Sequence, residues 1–151
     1  MVQKEIAIIS DIHGNSIALE EVLVDIKSRE ISTVVNLGDS LYGPLDPLGT
    51  YNMLIENKVI SISGNQDRFI LENIDAKTDI LTLEYVKTQI NDKVVEWLEL
   101  LSFDIIFDNN IYYCHASPQC DTTYLLESIQ TGYVTVKDEL ELEGLLTDIK
   151  Q

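Results

Sequence analysis

Short apolar runs alternate with longer amphipathic stretches along the first half of the chain. The runs at 5–10, 32–37 and 58–63 are rich in Ile and Val, which predicts three β-strands, the first of them buried on both faces. Between the strands, apolar residues recur every three or four positions at 16–29 and after Asp46, as in amphipathic helices. This alternation predicts a parallel α/β sheet with right-handed crossovers.

The second half of the chain shows other periodicities. An apolar stripe over 79–101 predicts one long helix. Two apolar runs within 103–116 predict a hairpin whose turn lies at 108–110, and a further stripe at 136–150 predicts a last helix. Because no repeat, low-complexity tract or linker interrupts these patterns, we expect residues 1–151 to form a single domain.

The charge balance is strongly acidic, with 26 acidic against 10 basic residues and a formal net charge of −16. Such a field disfavours binding to a nucleic-acid backbone or an anionic membrane and attracts divalent cations, although surface acids can also serve solubility alone. We find no signal peptide and no apolar stretch of the roughly 20 residues that a membrane helix needs. Cys114 and Cys120 are too few for a disulfide framework. We therefore expect a soluble, cytoplasmic protein.

Polar side chains cluster where the predicted strands end. Asp11 and His13 follow the first strand, Asp39 the second and Asn65 the third, and His115 ends the second strand of the hairpin. Loops at the carboxyl ends of parallel strands open at one edge of the sheet, so these side chains can meet. Each alone is compatible with ordinary turn or strand-end chemistry, but both histidines of the chain belong to the set. Such oxygen and nitrogen donors suit Mn²⁺, Fe²⁺, Zn²⁺ or a mixed pair of ions.

Four motifs, in this order, resemble the calcineurin-like metallophosphoesterases, in particular the bacterial subgroup of small phosphatases and phosphodiesterases. They are DIHGN at 11–15, LGDSLYGPLDP at 37–47, SGNQDR at 63–68 and HASP at 115–118. The resemblance runs from about residue 4 to residue 126. It implies an α/β fold of the αββα type, a β-sandwich flanked by helices, and a hydrolase that acts on a small phosphoester.

The resemblance also implies the roles of individual residues. Asp11, His13 and Asp39 would hold one divalent metal ion, and Asp39 would bridge to a second ion held by Asn65 and His115. A hydroxide that bridges the two ions would attack phosphorus. Mn²⁺ is the expected ion, with Fe, Zn or Ni as alternatives.

Further residues complete the predicted site. The implied catalytic set is Asp39, Asn65 and Gln66. Gln66 stands where the family commonly has a histidine, and an amide can donate a hydrogen bond but cannot deliver a proton. Their positions in the same loops make three residues candidate substrate contacts, namely Asn15, Tyr42 and Arg68. A salt bridge to one of the many acids is the alternative for Arg68.

The family closes its site with a late G-H-x-H motif, which has no counterpart here because no histidine follows His115. We therefore expect the C-terminal part of the family fold to be missing, so that the chain is a fragment, a truncated gene product or a degenerate member. Each ion would keep three protein ligands, one of them shared, and Cys120 and Asp121 are alternative ligands in the loop after HASP. An uncovered sheet face would favour a homo-oligomer.

Two other functions fit parts of the pattern. A truncated relative could be a non-catalytic module of the same fold, a metal-binding remnant or a regulator. A nucleotide-binding domain without metal chemistry is disfavoured, because the chain has no G-x-G-x-x-G and no Walker motif. The leading hypothesis is a metal-dependent phosphodiesterase or phosphatase, impaired by Gln66 and by its missing end.

Overall fold

The computed structural model describes residues 5–108, 111–130, 132–147 and 149. In chain order they form β1 (Ile6–Ile9), α1 (Ser16–Ser28), β2 (Thr33–Asn36), α2 (Pro47–Glu56), β3 (Ile60–Ser61), α3 (Asn65–Glu72), α4 (Leu81–Gln89), α5 (Asp92–Leu100), β4 (Asp104–Phe107), β5 (Ile111–Cys114), β6 (Glu127–Gln130), β7 (Tyr133–Val136) and α6 (Glu139–Leu146). Among these elements, no helix has both the length and the apolar composition that crossing a membrane requires. The predicted mixed α/β class is confirmed.

The first three strands form a parallel sheet in the order β1-β2-β3. Ile6 pairs with Thr33, and Val35 pairs with Ile60. Parallel neighbours need a crossover connection, which α1 and α2 provide. The predicted parallel sheet is therefore confirmed, and the loops after all three strands open at the same edge.

β1 is less buried than its sequence predicts, and the expectation of burial on both faces is wrong. In the described chain β1 pairs with β2 along one side, and Ile8 is 57% exposed. Ile8 lies with Ile31, Ile111 and Tyr113 along an open cavity of about 670 Å³. Val35 in the central strand β2 is fully buried by contrast. Ile8 and Val35 are both β-branched apolar side chains, so their place in the sheet decides their burial.

The single helix predicted over 79–101 is in fact two helices, α4 and α5. Ile90 is extended between them, with φ −95° and ψ 154°, and the Asn91 side chain accepts hydrogen bonds from the backbone N–H groups of Lys93 and Val94. Asn offers the backbone such side-chain hydrogen bonds and so favours helix starts over helix interiors. Both helices face the same core, which explains why one apolar stripe runs across the break.

Replacing Asn91 by Ala is expected to destabilise the protein by about 1 kcal/mol, because two N–H groups at the start of α5 lose their acceptor. The free energy of unfolding from a urea titration measures the loss. Asn52, which is exposed within α2, offers the matched control, and Asn52→Ala should change the free energy of unfolding by less than about 0.5 kcal/mol. Equal losses in the two variants would show that α5 does not depend on this cap.

The main apolar core lies between α3, α4, α5 and the loop after β2. Its buried members are Leu41, Ile70, Leu83, Val86, Val94 and Leu98. Leu41 lies two residues after Asp39, and Ile70 belongs to the helix that begins at Asn65. The core therefore fixes two of the loops that carry candidate ligands.

Two antiparallel hairpins follow α5. The predicted hairpin is confirmed as β4 and β5, with Asp104 opposite Cys114, although Asn109 and Asn110 of its predicted turn lie outside the described residues. The second hairpin, β6 with β7, is absent from the sequence prediction. The last helix begins at Glu139 rather than at 136, because the Asp138 side chain caps it and β7 occupies the residues before it.

Candidate metal centre

Backbone hydrogen bonds join the loops after β1 and β2. The N–H groups of Asp11, His13 and Gly14 donate to the carbonyls of Gly38, Asp39 and Ser40 at 3.0, 3.0 and 2.9 Å. Asp11, His13 and Asp39 have φ values of 56°, 52° and 54°, which are uncommon for residues other than glycine. Such conformations persist only where the surrounding structure holds them, and they concentrate at functional sites. The two loops form one unit that presents three candidate ligands.

The candidate ligands form two groups that share Asp39. Ligand atoms of Asp11, His13 and Asp39 all lie within 4.8 Å of one another. In the second group, His115 Nε2 lies 3.6 Å from Asp39 Oδ1 and 3.0 Å from Asn65 Oδ1. The structure thus places all five predicted ligands together, while their roles toward a metal stay a prediction.

Each histidine is oriented by a backbone carbonyl. His13 Nδ1 lies 3.1 Å from the carbonyl oxygen of Tyr42, and His115 Nδ1 lies 2.9 Å from that of Leu37. A carbonyl oxygen only accepts, so Nδ1 carries a proton in both rings, and in the neutral ring Nε2 presents its lone pair. Metal-binding histidines are commonly held in this way. Both Nε2 atoms face oxygens of the candidate ligands, and with neutral rings a bound cation would make such a donor set favourable.

Asp39 is the buried centre of this donor set. The residue is 3% exposed, and its Oδ1 accepts a hydrogen bond of 2.8 Å from the backbone N–H of Gln66. Burial raises the pKa of Asp39, while the hydrogen bond from Gln66 works in the opposite direction. A cation beside the carboxylate would favour its ionised form. The residues present therefore fit divalent ions that accept mixed oxygen and imidazole ligands.

Asp67 fixes the start of α3 beside the site. It is fully buried, and its two carboxylate oxygens accept hydrogen bonds of 3.0 Å from the backbone N–H groups of Ser40 and Gly64. Burial raises the pKa of Asp67 to about 6. Asp67 thereby ties the loop after β2 to the helix that begins at Asn65. The three-residue spacing between Gly64 and Asp67 is the sequence signal for this contact.

A cavity of about 610 Å³ opens over the two groups. It is lined by four of the five candidate ligands, namely Asp11, Asp39, Asn65 and His115, and by Gln66. The rest of its wall comes mainly from the segment between Asp121 and Glu127. The four sequence motifs end at residue 118, so no motif could have revealed this wall.

Residues 4–149 match the calcineurin-like phosphoesterase family. The chain belongs to this family. An uncharacterized protein of Methanocaldococcus jannaschii is 32% identical over 128 residues, which are 79% of this chain and 52% of the relative. The chain thus spans about half the length of the curated relative that it matches. The resemblance read from the four motifs is confirmed.

Two solved structures have the same fold. A metallophosphoesterase from Sphaerobacter thermophilus superposes with a TM-score of 0.68 and 26% identity, covering 81% of this chain and 51% of that one. A protein described as a "putative diadenosine tetraphosphatase" gives a TM-score of 0.65 and 26% identity, covering 91% of this chain and 66% of that one. The fold of the described chain is therefore that of the calcineurin-like phosphoesterases.

In this calcineurin-like phosphoesterase, Asn15 and Tyr42 have structural contacts and do not line the 610 Å³ cavity. The Asn15 side chain caps α1 by accepting from the Ala18 N–H at 3.1 Å. The Tyr42 ring packs edge-on against Phe69, with centroids 5.7 Å apart. Asn15 lies instead along a smaller cavity of about 290 Å³ that Asp11 also lines. Their contact with substrate stays a prediction.

Arg68 forms the salt bridge that was the alternative to a substrate contact. Its Nε and a terminal nitrogen donate to the two oxygens of Asp121 at 2.7 and 3.0 Å, and its other terminal nitrogen donates to Glu72 at 2.8 Å. These carboxylates raise the pKa of Arg68, and Arg68 lowers the pKa of Asp121. The pair joins α3 to the loop after His115.

Cys120 was named above as an alternative metal ligand in the same loop. Its thiol contacts the Thr122 hydroxyl at 3.2 Å.

Proposed function

We propose that this chain is a metal-dependent phosphoester hydrolase of the phosphodiesterase or phosphatase type. The observation that carries the proposal is the convergence of Asp11, His13 and Asp39, whose ligand atoms lie within 4.8 Å of one another. Membership of the calcineurin-like phosphoesterases supports the reaction class. The neighbour described as a putative diadenosine tetraphosphatase is in keeping with it.

Two divalent ions are proposed, one held by Asp11, His13 and Asp39 and the other by Asp39, Asn65 and His115. Mn²⁺ is the proposed ion because the ligands are carboxylate, amide and imidazole groups, and Fe, Zn or Ni are the alternatives. When bound, the ions would polarise the phosphoryl oxygens and make a water molecule more acidic. The backbone carbonyls of Tyr42 and Leu37 favour a proton on Nδ1 of each histidine, which leaves Nε2 of the neutral ring available to a metal ion.

Gln66 sets the kind of ester that the site can cleave. Its side chain lines the cavity and can donate a hydrogen bond to a phosphoryl oxygen, but it cannot protonate a leaving group. General-acid assistance is typically worth about 10²–10⁴-fold in rate, and poor leaving groups need it most. We therefore propose that good leaving groups, which depart as stable anions, are hydrolysed fastest.

Hydrolysis of bis-(p-nitrophenyl) phosphate by the Mn²⁺-loaded protein tests the proposal. The p-nitrophenolate anion leaves without a proton, so Gln66 does not limit the reaction. We expect turnover by the unmodified chain and a fall in kcat/KM of at least about 10²-fold in His13→Ala, since the loss of even an outer partner of a metal ligand costs 10–100-fold. Asn52→Ala, at an exposed position of α2 that is outside the lining of the 610 Å³ cavity, serves as the control and should keep full activity.

Metal content is measured on the same samples. Bound ions without turnover in the unmodified chain would contradict hydrolysis and favour a non-catalytic, metal-binding module. Turnover that survives His13→Ala unchanged would mean that the hydrolysis takes place elsewhere or comes from a contaminant.

A further inference from the structure

Part of the wall of the 610 Å³ cavity beyond the candidate ligands is apolar. Tyr124, Leu125 and Leu126 are consecutive and all line it. Tyr124 is 58% exposed and Leu126 is 61% exposed, so each has apolar surface that a ligand can cover. We call these three residues the apolar wall. A cavity of this volume lies within the range of about 300–1,000 Å³ typical of small-molecule sites.

The backbone of the apolar wall is held in place by Lys137. The Lys137 side chain donates from Nζ to the carbonyl of Tyr124 at 2.6 Å, and its backbone N–H donates to the carbonyl of Leu126 at 2.9 Å. Lys137 directly follows β7, so the wall is tied to the β6–β7 hairpin. An apolar surface with a fixed backbone can bind a flat group without first being ordered.

We propose that the site selects phosphodiesters that carry an aromatic group over those that carry only small aliphatic groups. The phosphodiester would lie at the candidate metal ligands while an aromatic substituent packs on Tyr124 and Leu126. This inference rests on the proposed function and narrows it to one substrate class.

Equilibrium binding tests the inference independently of turnover. Isothermal titration calorimetry with the Mn²⁺-loaded protein uses two probes, namely diphenyl phosphate and dimethyl phosphate. They carry the same single charge and differ in their rings. We expect diphenyl phosphate to bind at least about 10-fold more tightly than dimethyl phosphate. Equal or tighter binding of dimethyl phosphate overturns the proposal, and so does the absence of binding by both probes.

Variants of the apolar wall identify the contact. Tyr124→Ala and Leu126→Ala should each weaken diphenyl phosphate binding by about 2- to 10-fold and leave dimethyl phosphate unaffected. Tyr133→Ala and Leu100→Ala are matched controls, because these side chains are 70% and 82% exposed and lie outside the cavity lining. Since all four side chains are exposed, we expect each variant to fold, which its urea midpoint verifies. Unchanged diphenyl phosphate binding in both wall variants overturns the assignment of the wall.

The same samples separate this inference from the proposed function. Selective binding of diphenyl phosphate without hydrolysis of bis-(p-nitrophenyl) phosphate supports the substrate class and contradicts hydrolysis. Hydrolysis with no preference between the two probes supports the proposed function and overturns the substrate class.

Discussion

Asn in place of Asp39 is expected to release both proposed metal ions together and to lower kcat/KM by at least about 10²-fold. The reason is that Asp39 belongs to both groups of candidate ligands. The substitution keeps the shape of the side chain, and an amide oxygen can still accept the hydrogen bond that Gln66 N–H donates to Asp39 Oδ1 at 2.8 Å. The loss should therefore come from metal binding and leave the fold intact.

Calorimetric titration with Mn²⁺ distinguishes a shared ligand from an ordinary one. His13→Ala should weaken the first ion and His115→Ala the second, because each histidine belongs to one group. Only Asp39→Asn should abolish both binding events. A single ion that still binds to Asp39→Asn with unchanged affinity would show that Asp39 serves one ion, and would contradict the proposed bridge.

Gly38→Ala is expected to destabilise the protein by about 2–5 kcal/mol. Gly38 has φ +104°, where a side chain costs about 1–2 kcal/mol. An added Cβ would lie 2.3 Å from the backbone nitrogen of Gly64 and 2.6 Å from its Cα, and such overpacking typically costs a further 1–3 kcal/mol or so. Because the obstructing atoms are backbone, relief requires the start of α3 to move, and Asn65 with it.

Gly144→Ala is the matched control for this substitution. Gly144 lies within α6, and an added Cβ there meets no atom within 4 Å. Ala in a helix interior is favoured over Gly by about 0.5–1 kcal/mol, so this variant should be slightly more stable. The free energies of unfolding of the metal-free proteins in urea measure both effects. A loss below 1 kcal/mol or so in Gly38→Ala would show that the two loops are not packed as closely as the structure places them.

The candidate ligands were predictable because their positions follow from strand order. A strand that ends in a polar turn places its next residues at the sheet edge, and parallel strands share that edge. Asp11, Asp39 and Asn65 meet this condition. The apolar wall was not predictable in this way, because Tyr124 and Leu126 belong to none of the four motifs. They line the cavity only because of the path that the loop after His115 takes.

The apolar periodicity of the sequence predicted which helices and strands form better than it predicted where they end or how deeply they are buried. The stripe over 79–101 is continuous, yet the Asn91 cap divides it into two helices. The Ile-rich run of β1 predicts burial, yet Ile8 is 57% exposed. A side chain's apolar character is a property of the sequence, whereas its burial depends on what packs over it.

The sequence by itself determined the parallel sheet, the order of the motifs and the set of oxygen and nitrogen donors. These follow from residues that are neighbours along the chain, where strand propensity and turn chemistry act. Only the tertiary structure decided which atoms face one another. The carbonyl of Leu37 orients His115 across 78 positions, and Asp121 holds Arg68 across 53. Contacts at such separations depend on how the whole chain packs, because no local preference can specify a partner that far along the sequence.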